Sequence, residues 1–531
     1  MLQVTFLDMA IFVIYIIAVM YIGFRVGRKE HTNAMGYFLA GRTLPWYAIG
    51  FSMVATSIST EQFIGAGAKS YDVGMAVLHW EWGMIPSFTL LAFVFLPIYF
   101  RRKIYTIPEY LERRFSSTAR TIFSVMTLLS YLIINLAGVL YSGGYTLHKI
   151  FNLPLMLSIW LLAILTGIYT IYGGLASVVW TDTLQCILLL AGGGYITIAG
   201  LMKIPGGLSA AVGTGERAHL FLPMNHPELP WTGILVLLFS TNVWYACANQ
   251  FYIQRCLGAK NEWNARMGVI FAAFLAIILG FTVDFPGVIA YKLVELGIIP
   301  VPPESNAVYP LLIRYLVPAG IRGIVFAGLV AAIMSTLSAL INSIATLFTL
   351  DIYQKFIRPQ SSEKHIIFIG QSAGALLLFA GTLWSPVVGT FPTIFDFFQQ
   401  SWAIMAAPFS VIFVLGILWK RANNFAAVST MILGIFIIPL SFILQRTVLP
   451  PGFSFYNLVG IFLIFFLAWM IIASVMTQPQ LRAKIADFLW FRKMVALSPE
   501  ETPQPYSWFK NVWLWWGIAT VLTLGIYIKY W

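Results

Sequence analysis

Apolar runs of about 20 residues recur along this chain from one end to the other, and no other feature restricts its fold as strongly. A helix needs about that length to cross a hydrocarbon core of about 30 Å. The runs predict about fourteen spans, at 5–26, 47–71, 75–100, 119–150, 153–173, 175–203, 232–253, 267–296, 322–353, 366–386, 393–419, 424–445, 456–477 and 510–530. Composition agrees: 59% of the 531 residues are hydrophobic and 10% charged, against about 25% charged in soluble domains. The expected fold class is an all-α polytopic membrane protein, one transmembrane domain over 1–531 with the lipid bilayer as its solvent. No Lys or Arg precedes the first run, whereas Arg25, Arg28 and Lys29 follow it. A cleavable signal peptide has the opposite order, so the first run is expected to stay as a span.

The net charge of +12 has a location that argues against nucleic acid as a partner. Basic residues gather in alternate loops, as at Arg101-Arg102-Lys103, Arg113-Arg114, Lys420-Arg421 and Arg492-Lys493. With both termini outside, about 23 of the 32 Lys and Arg residues face the cytoplasm, as the positive-inside rule requires of a plasma-membrane protein. The charge therefore reports topology. Cys186, Cys247 and Cys256 lack metal-ligand spacing and read as buried small hydrophobes. There is no phosphate-binding loop, nucleophile elbow or zinc signature, and His79 beside Trp80 and Glu81 is the single candidate for intramembrane catalysis. The chain does not read as an enzyme.

Polar groups at bilayer depth carry the functional signal. VATSISTEQFIG, residues 54–65, holds Thr56, Ser57, Ser59, Thr60, Glu61 and Gln62 almost without interruption. A Glu at that depth costs at least about 2.5–3.5 kcal/mol on insertion scales. Irregular backbone in a membrane must line a cavity or bind something, so a break between two half-helices is expected near 55–60. A second segment, 331–349, spaces Ser335, Ser338, Asn342, Thr346 and Thr349 at three or four residues, a polar stripe down one helix. Such hydroxyls suit an alkali cation or serve as helix–helix glue. A third places Asp182 just inside a span, paired with a cation or reaching water. A fourth, 240–255, puts Thr241, Asn242, Tyr245, Asn249 and Gln250 beside Trp244: amides and rings that fit a sugar or a packed aromatic helix. Glu81 and Gln399 add polar groups with aromatic neighbours. Clusters on five spans point to one central cavity.

These residues resemble a known family. YFLAGRTLPWYAIGFSMVATSISTEQFIGAG (37–67), IYTIPEYLERRF (104–115), IYGGLASVVWTDTLQ (171–185) and NSIATLFTLDIY (342–353) are similar to the sodium/solute symporters, above all their sodium/glucose and sodium/galactose branch. The resemblance implies a leucine-transporter-type fold. Two inverted five-helix repeats, 47–203 and 232–419, would enclose a midplane site, with 5–26 before them and three helices in 424–530 after. It implies a Na⁺ cage from the carbonyls of Ala55, Ile58 and Ala332 and the hydroxyls of Ser335 and Thr336. Asp182, Ser335 and Ser338 match a second sodium site of some members, but Ala339 stands where that site has another Ser.

For a neutral sugar, the resemblance implies hydrogen bonds from Gln62, Glu81, Asn242 and Gln399. Tyr245 would cap the solute on the cytoplasmic side, and Trp80 and Phe395 would act as outer gates. Two positions depart from the pattern: Ala276 replaces a Lys, and Met84 a Ser. The function expected is Na⁺-driven import of a glucose- or galactose-like sugar. The alternatives are myo-inositol or another polyol, another small organic solute, and a solute sensor, which would carry an attached soluble module. Glu81 argues against an anionic solute. No obligate protein partner is expected.

Overall fold

The computed structural model describes residues 5–28, 33–390, 394–450, 453–498, 501 and 507–531; the side chains of 394–396 and 446 fall outside that description. Among the described residues the regular elements are all helical. Eleven helices are long and apolar enough to cross a membrane, or twelve if the bent pair Trp231–Cys247 and Gln250–Leu257 counts as one span. The expected fourteen are therefore not reached on length and composition.

The difference has a physical origin at two places. The segment expected at 47–71 is interrupted: the helix Trp46–Ser57 stops, and the chain resumes through a π-helical stretch Glu61–Ala66 into Gly67–Val73, so no piece is long enough alone. The segments expected at 153–173 and 175–203 run together as the helix Leu155–Met202, whose one non-helical residue is Gly174, at φ 62° and ψ −160°. That conformation is open essentially to glycine alone. It folds the two arms back on each other. Gly192 packs on Val325 and Leu188 on Gly328, while from the other arm the Tyr169 hydroxyl donates to the Met334 carbonyl at 3.3 Å.

The helix Ile321–Thr346 is the axis of the molecule. Its span Ile321–Ile357 is 94% buried over its most apolar window, against 17% for Val512–Lys529 at the periphery. The stripe read from the sequence divides along it. Ser335 and Thr336 face the broken helix, whereas Thr346 and Ser343 hydrogen-bond the buried amide of Gln254 at 2.7 and 2.9 Å. The upper part meets the end of the broken helix, and the lower part is helix–helix glue.

The two ends of the bundle differ. On the N-terminal face, Asp8 accepts hydrogen bonds from the backbone of Gly320 and Gly323 at 2.8 and 3.0 Å, and Phe12 meets Phe151 with ring centres 5.7 Å apart. The opposite face holds the basic network. Arg101 pairs with Glu262 at 2.9 Å, Arg102 with Asp487 at 2.5 Å and Arg120 with Asp351 at 2.7 Å, and Arg114 donates to the carbonyls of Gly416 and Ala422.

Candidate cation and solute sites

At the end of Trp46–Ser57, Ile58 takes an extended conformation, φ −108° and ψ 120°. A helix that stops leaves its last carbonyls without intrahelical donors, and here they are buried. The helix Ile321–Thr346 supplies partners. Ser335 Oγ donates to Ala55 O at 2.7 Å and to Ala332 O at 2.9 Å. Thr336 Oγ1 lies 3.1 Å from the carbonyls of Ile58, Thr56 and Ala332 alike. The structure thus gathers the carbonyls of Ala55, Ile58 and Ala332 and the hydroxyls of Ser335 and Thr336 into one buried knot. Uncharged hard oxygens from two helices can be drawn around a small monovalent cation, the hydroxyl protons turning outward as lone pairs turn in.

Just beyond the break, Gln62, Glu81, Asn242, Tyr245 and Gln399 all line one small cavity, with Trp80 in its wall. Each helix contributes at helical spacing: Glu81, Met84 and Phe88; Asn242 and Tyr245; Ala276 and Leu279; Gln399 and Trp402. Among the described residues Gln62 Oε1, Asn242 Nδ2 and Gln399 Nε2 have no hydrogen-bond partner, although Gln62 is 6%, Asn242 7% and Gln399 1% exposed. Buried amides are normally satisfied; here the three side chains line one cavity. Aromatic faces enclose it, Tyr245 lying 5.0 Å from Tyr252 and 5.8 Å from Trp402 between ring centres. Its volume is about 40 Å³, far below the roughly 300 Å³ and more of ligand-holding pockets. This conformation is contracted around the site.

Trp402, Tyr252 and Phe88 were missed in the sequence. Trp402 was findable, being three residues from Gln399 and hence on its face. Tyr252 was not, because it arrives through the bend at Ala248 and Asn249. Phe395, expected at an outer gate, lies outside the described side chains. Asp284 does not line the cavity; it is fully buried within electrostatic reach of Glu81, both its oxygens lacking a hydrogen-bond partner among the described residues.

Asp182 is held by side chains of two other helices. It accepts from Ser52 at 2.6 Å and Thr56 at 3.3 Å, and Arg255 approaches to 3.6 Å with both charges buried. Among the described residues no hydrogen bond joins it to Ser335 or Ser338, and the Ser338 hydroxyl donates to the Ser335 carbonyl at 2.8 Å. Arg255 already supplies the positive charge at this carboxylate.

A broken helix whose last carbonyls meet side-chain hydroxyls beside a polar, ring-lined cavity is the architecture of a secondary transporter. Residues 37–434 match the model of the sodium:solute symporter family, and the chain belongs to that family. It is 36% identical over 450 residues to a sodium/glucose cotransporter of Vibrio parahaemolyticus, covering 80% of this chain and 83% of the relative. It is 30% identical over 558 residues to a human sodium/myo-inositol cotransporter, covering 93% of this chain and 77% of the relative. The fold matches that of a Na⁺-coupled sialic acid symporter solved in a substrate-bound, outward-open state, at a TM-score of 0.78 and 24% identity over 90% of this chain and 99% of that one. The protein is a multi-span, sodium-coupled solute symporter of the leucine-transporter type and not an enzyme; Na⁺ is its coupling ion.

Proposed function

We propose that this symporter imports a neutral polyhydroxylated solute, a glucose- or galactose-like sugar in the first instance, through the cavity bounded by Gln62, Glu81, Asn242, Tyr245 and Gln399. The observation that carries this reading is one cavity lined by aromatic faces and by three amide side chains, each with a buried atom that has no partner among the described residues. Hydroxyls are both donors and acceptors and fit such a set, and pyranose C–H faces fit the rings. Ala276 in the cavity wall favours a second reading, myo-inositol or another polyol, since no cationic donor stands at that position to select a particular hydroxyl pattern.

Na⁺ would sit among Ala55, Ile58, Ala332, Ser335 and Thr336. Binding there ties the break to the axial helix and fixes the position of Gln62, four residues beyond Ile58, so ion and solute favour each other through a shared element. Each Na⁺ moving inward gains about 2.3 kcal/mol per 100 mV of membrane potential. We assign the repeats to 47–203 and 232–419. The interruptions at Ile58 and at Ala248–Asn249, each in the first helix of its half, support that division. The basic network on the face away from the N-terminus supports N- and C-termini outside the plasma membrane.

The test is uptake into proteoliposomes with labelled hexoses and polyols, with and without Na⁺. Sodium-dependent uptake competed by sugars or inositols is expected. Competition by carboxylates or amino acids instead would refute the solute class.

A further inference from the structure

A second cavity, of about 310 Å³, is walled by Thr60, Glu61, Ser142, Thr146, Tyr309 and Leu329. The broken segment lies between the two cavities: Gln62 lines the solute cavity and its neighbours Thr60 and Glu61 line this one, with the Glu61 carboxyl and the Gln62 amide in contact. The π-helical stretch that starts at Glu61 gives adjacent residues these separate duties.

Three residues that line this cavity each carry a buried polar atom with no hydrogen-bond partner among the described residues: Thr60 Oγ1, Glu61 Oε2 and the Tyr309 hydroxyl. Their residues are 3%, 3% and 1% exposed. The Ser59 hydroxyl and the Gln62 amide stand beside the Glu61 carboxyl, but among the described residues no ion pair reaches it. The basic residues that line the cavity, Lys149 and Arg314, are exposed. The Lys149 ammonium lies over the Tyr145 ring at 5.2 Å and the Arg314 guanidinium over Tyr315 at 5.8 Å. A carboxyl kept from water either keeps its proton or takes a counter-charge; a cation that binds here displaces the proton. No cluster of three His, Cys, Asp or Glu side chains occurs among the described residues, so one carboxyl and two hydroxyls fit a monovalent ion better than a divalent one.

Position completes the argument. Lys149, Glu304, Asn306 and Arg314 place the mouth on the N-terminal face, outside in the reading above, and Glu61 follows the Ile58 carbonyl by three residues. We propose that Thr60, Glu61 and Tyr309 form an access site for Na⁺, where the ion is held before it passes the break into the five-oxygen cage. This rests on that cage and on the orientation given under the proposed function.

The experiment is the Na⁺ activation curve of uptake in proteoliposomes, at saturating solute, for the full-length Glu61→Gln protein. The Na⁺ concentration for half-maximal uptake is expected to rise about tenfold, the loss of one charge-assisted contact. The solute concentration for half-maximal uptake at saturating Na⁺ should stay as in the parent, and Glu61→Asp should recover most of the shift. Tyr309→Phe, which removes one hydroxyl and no volume, should move the Na⁺ curve the same way by about threefold, and it decides the matter if Glu61→Gln does not fold. An unchanged Na⁺ curve in the folded variants, or a shift confined to the solute curve, overturns the proposal. Ser335→Ala separates the two readings: if it keeps full sodium dependence the cage is wrong, whereas a normal Glu61→Gln curve beside an inactive Ser335→Ala leaves the cage and removes the access site.

Discussion

Ser335 and Thr336 do at the residue scale what no apolar pair could: their hydroxyls hold the last carbonyls of the break, and in the proposed cage they turn to the ion. Ser335→Ala removes the hydroxyl that bonds Ala55 O at 2.7 Å and is expected to abolish sodium-driven uptake, measured in proteoliposomes under an inward Na⁺ gradient. Thr336→Ser keeps the oxygen and should retain it. Gln399→Glu replaces a free amide donor in the solute cavity by a charge beside Glu81, and should chiefly raise the solute concentration needed for half-maximal uptake. These roles were partly legible, because hydroxyls, amides and acids at bilayer depth are costly enough to stand out. Glu61 was legible as an anomaly but not in its surroundings: nothing in the sequence shows the cavity it lines or the Ser59 and Gln62 side chains beside it. The aromatic wall was hidden for the opposite reason, since Phe88 and Tyr252 cost nothing in a membrane helix.

At the scale of elements, two kinds of interruption carry the site, and they differed in visibility. The break at Ile58 was announced by a run of polar side chains that no regular lipid-facing helix would hold, and the boundary at Gly174 by the glycine pair between two apolar runs. The bend at Ala248–Asn249 uses neither glycine nor proline, so 232–253 read as one continuous span. Gly174 is the sharpest test. A Cβ there would stand 2.4 Å from the Tyr37 carbonyl oxygen, at a backbone angle closed to other residues. Gly174→Ala is expected to cost at least about 1–3 kcal/mol from the backbone alone, seen as a lower melting temperature of the detergent-purified protein. Asp182 and Arg255 tie the second arm of that hairpin to Gln250–Leu257 across the axis. Asp182→Asn leaves a guanidinium buried and unpaired, and should destabilise by about 3–5 kcal/mol; an Asp182→Asn, Arg255→Gln double variant should recover part of that loss in the same melting assay.

The whole molecule is polarised, and this was the most legible property of all, because the alternate-loop placement of Lys and Arg depends on charge and span order alone. What the sequence could not supply was the state of the carrier, a contracted solute cavity of about 40 Å³ beside a 310 Å³ cavity reaching toward the N-terminal face, since cavity size depends on how helices tilt. The orientation can be checked directly because Cys186, Cys247 and Cys256 are all buried, so a membrane-impermeant maleimide should find little to label on the unaltered protein. Asn306→Cys places a thiol at the exposed rim of the larger cavity, and Lys493→Cys places one in the basic network's neighbourhood on the other face. In intact cells Asn306→Cys should label and Lys493→Cys should not, and permeabilisation should make Lys493→Cys reactive. The reverse pattern would put the larger cavity and the Glu61 carboxylate on the cytoplasmic side, where they would serve the release of Na⁺ and not its capture.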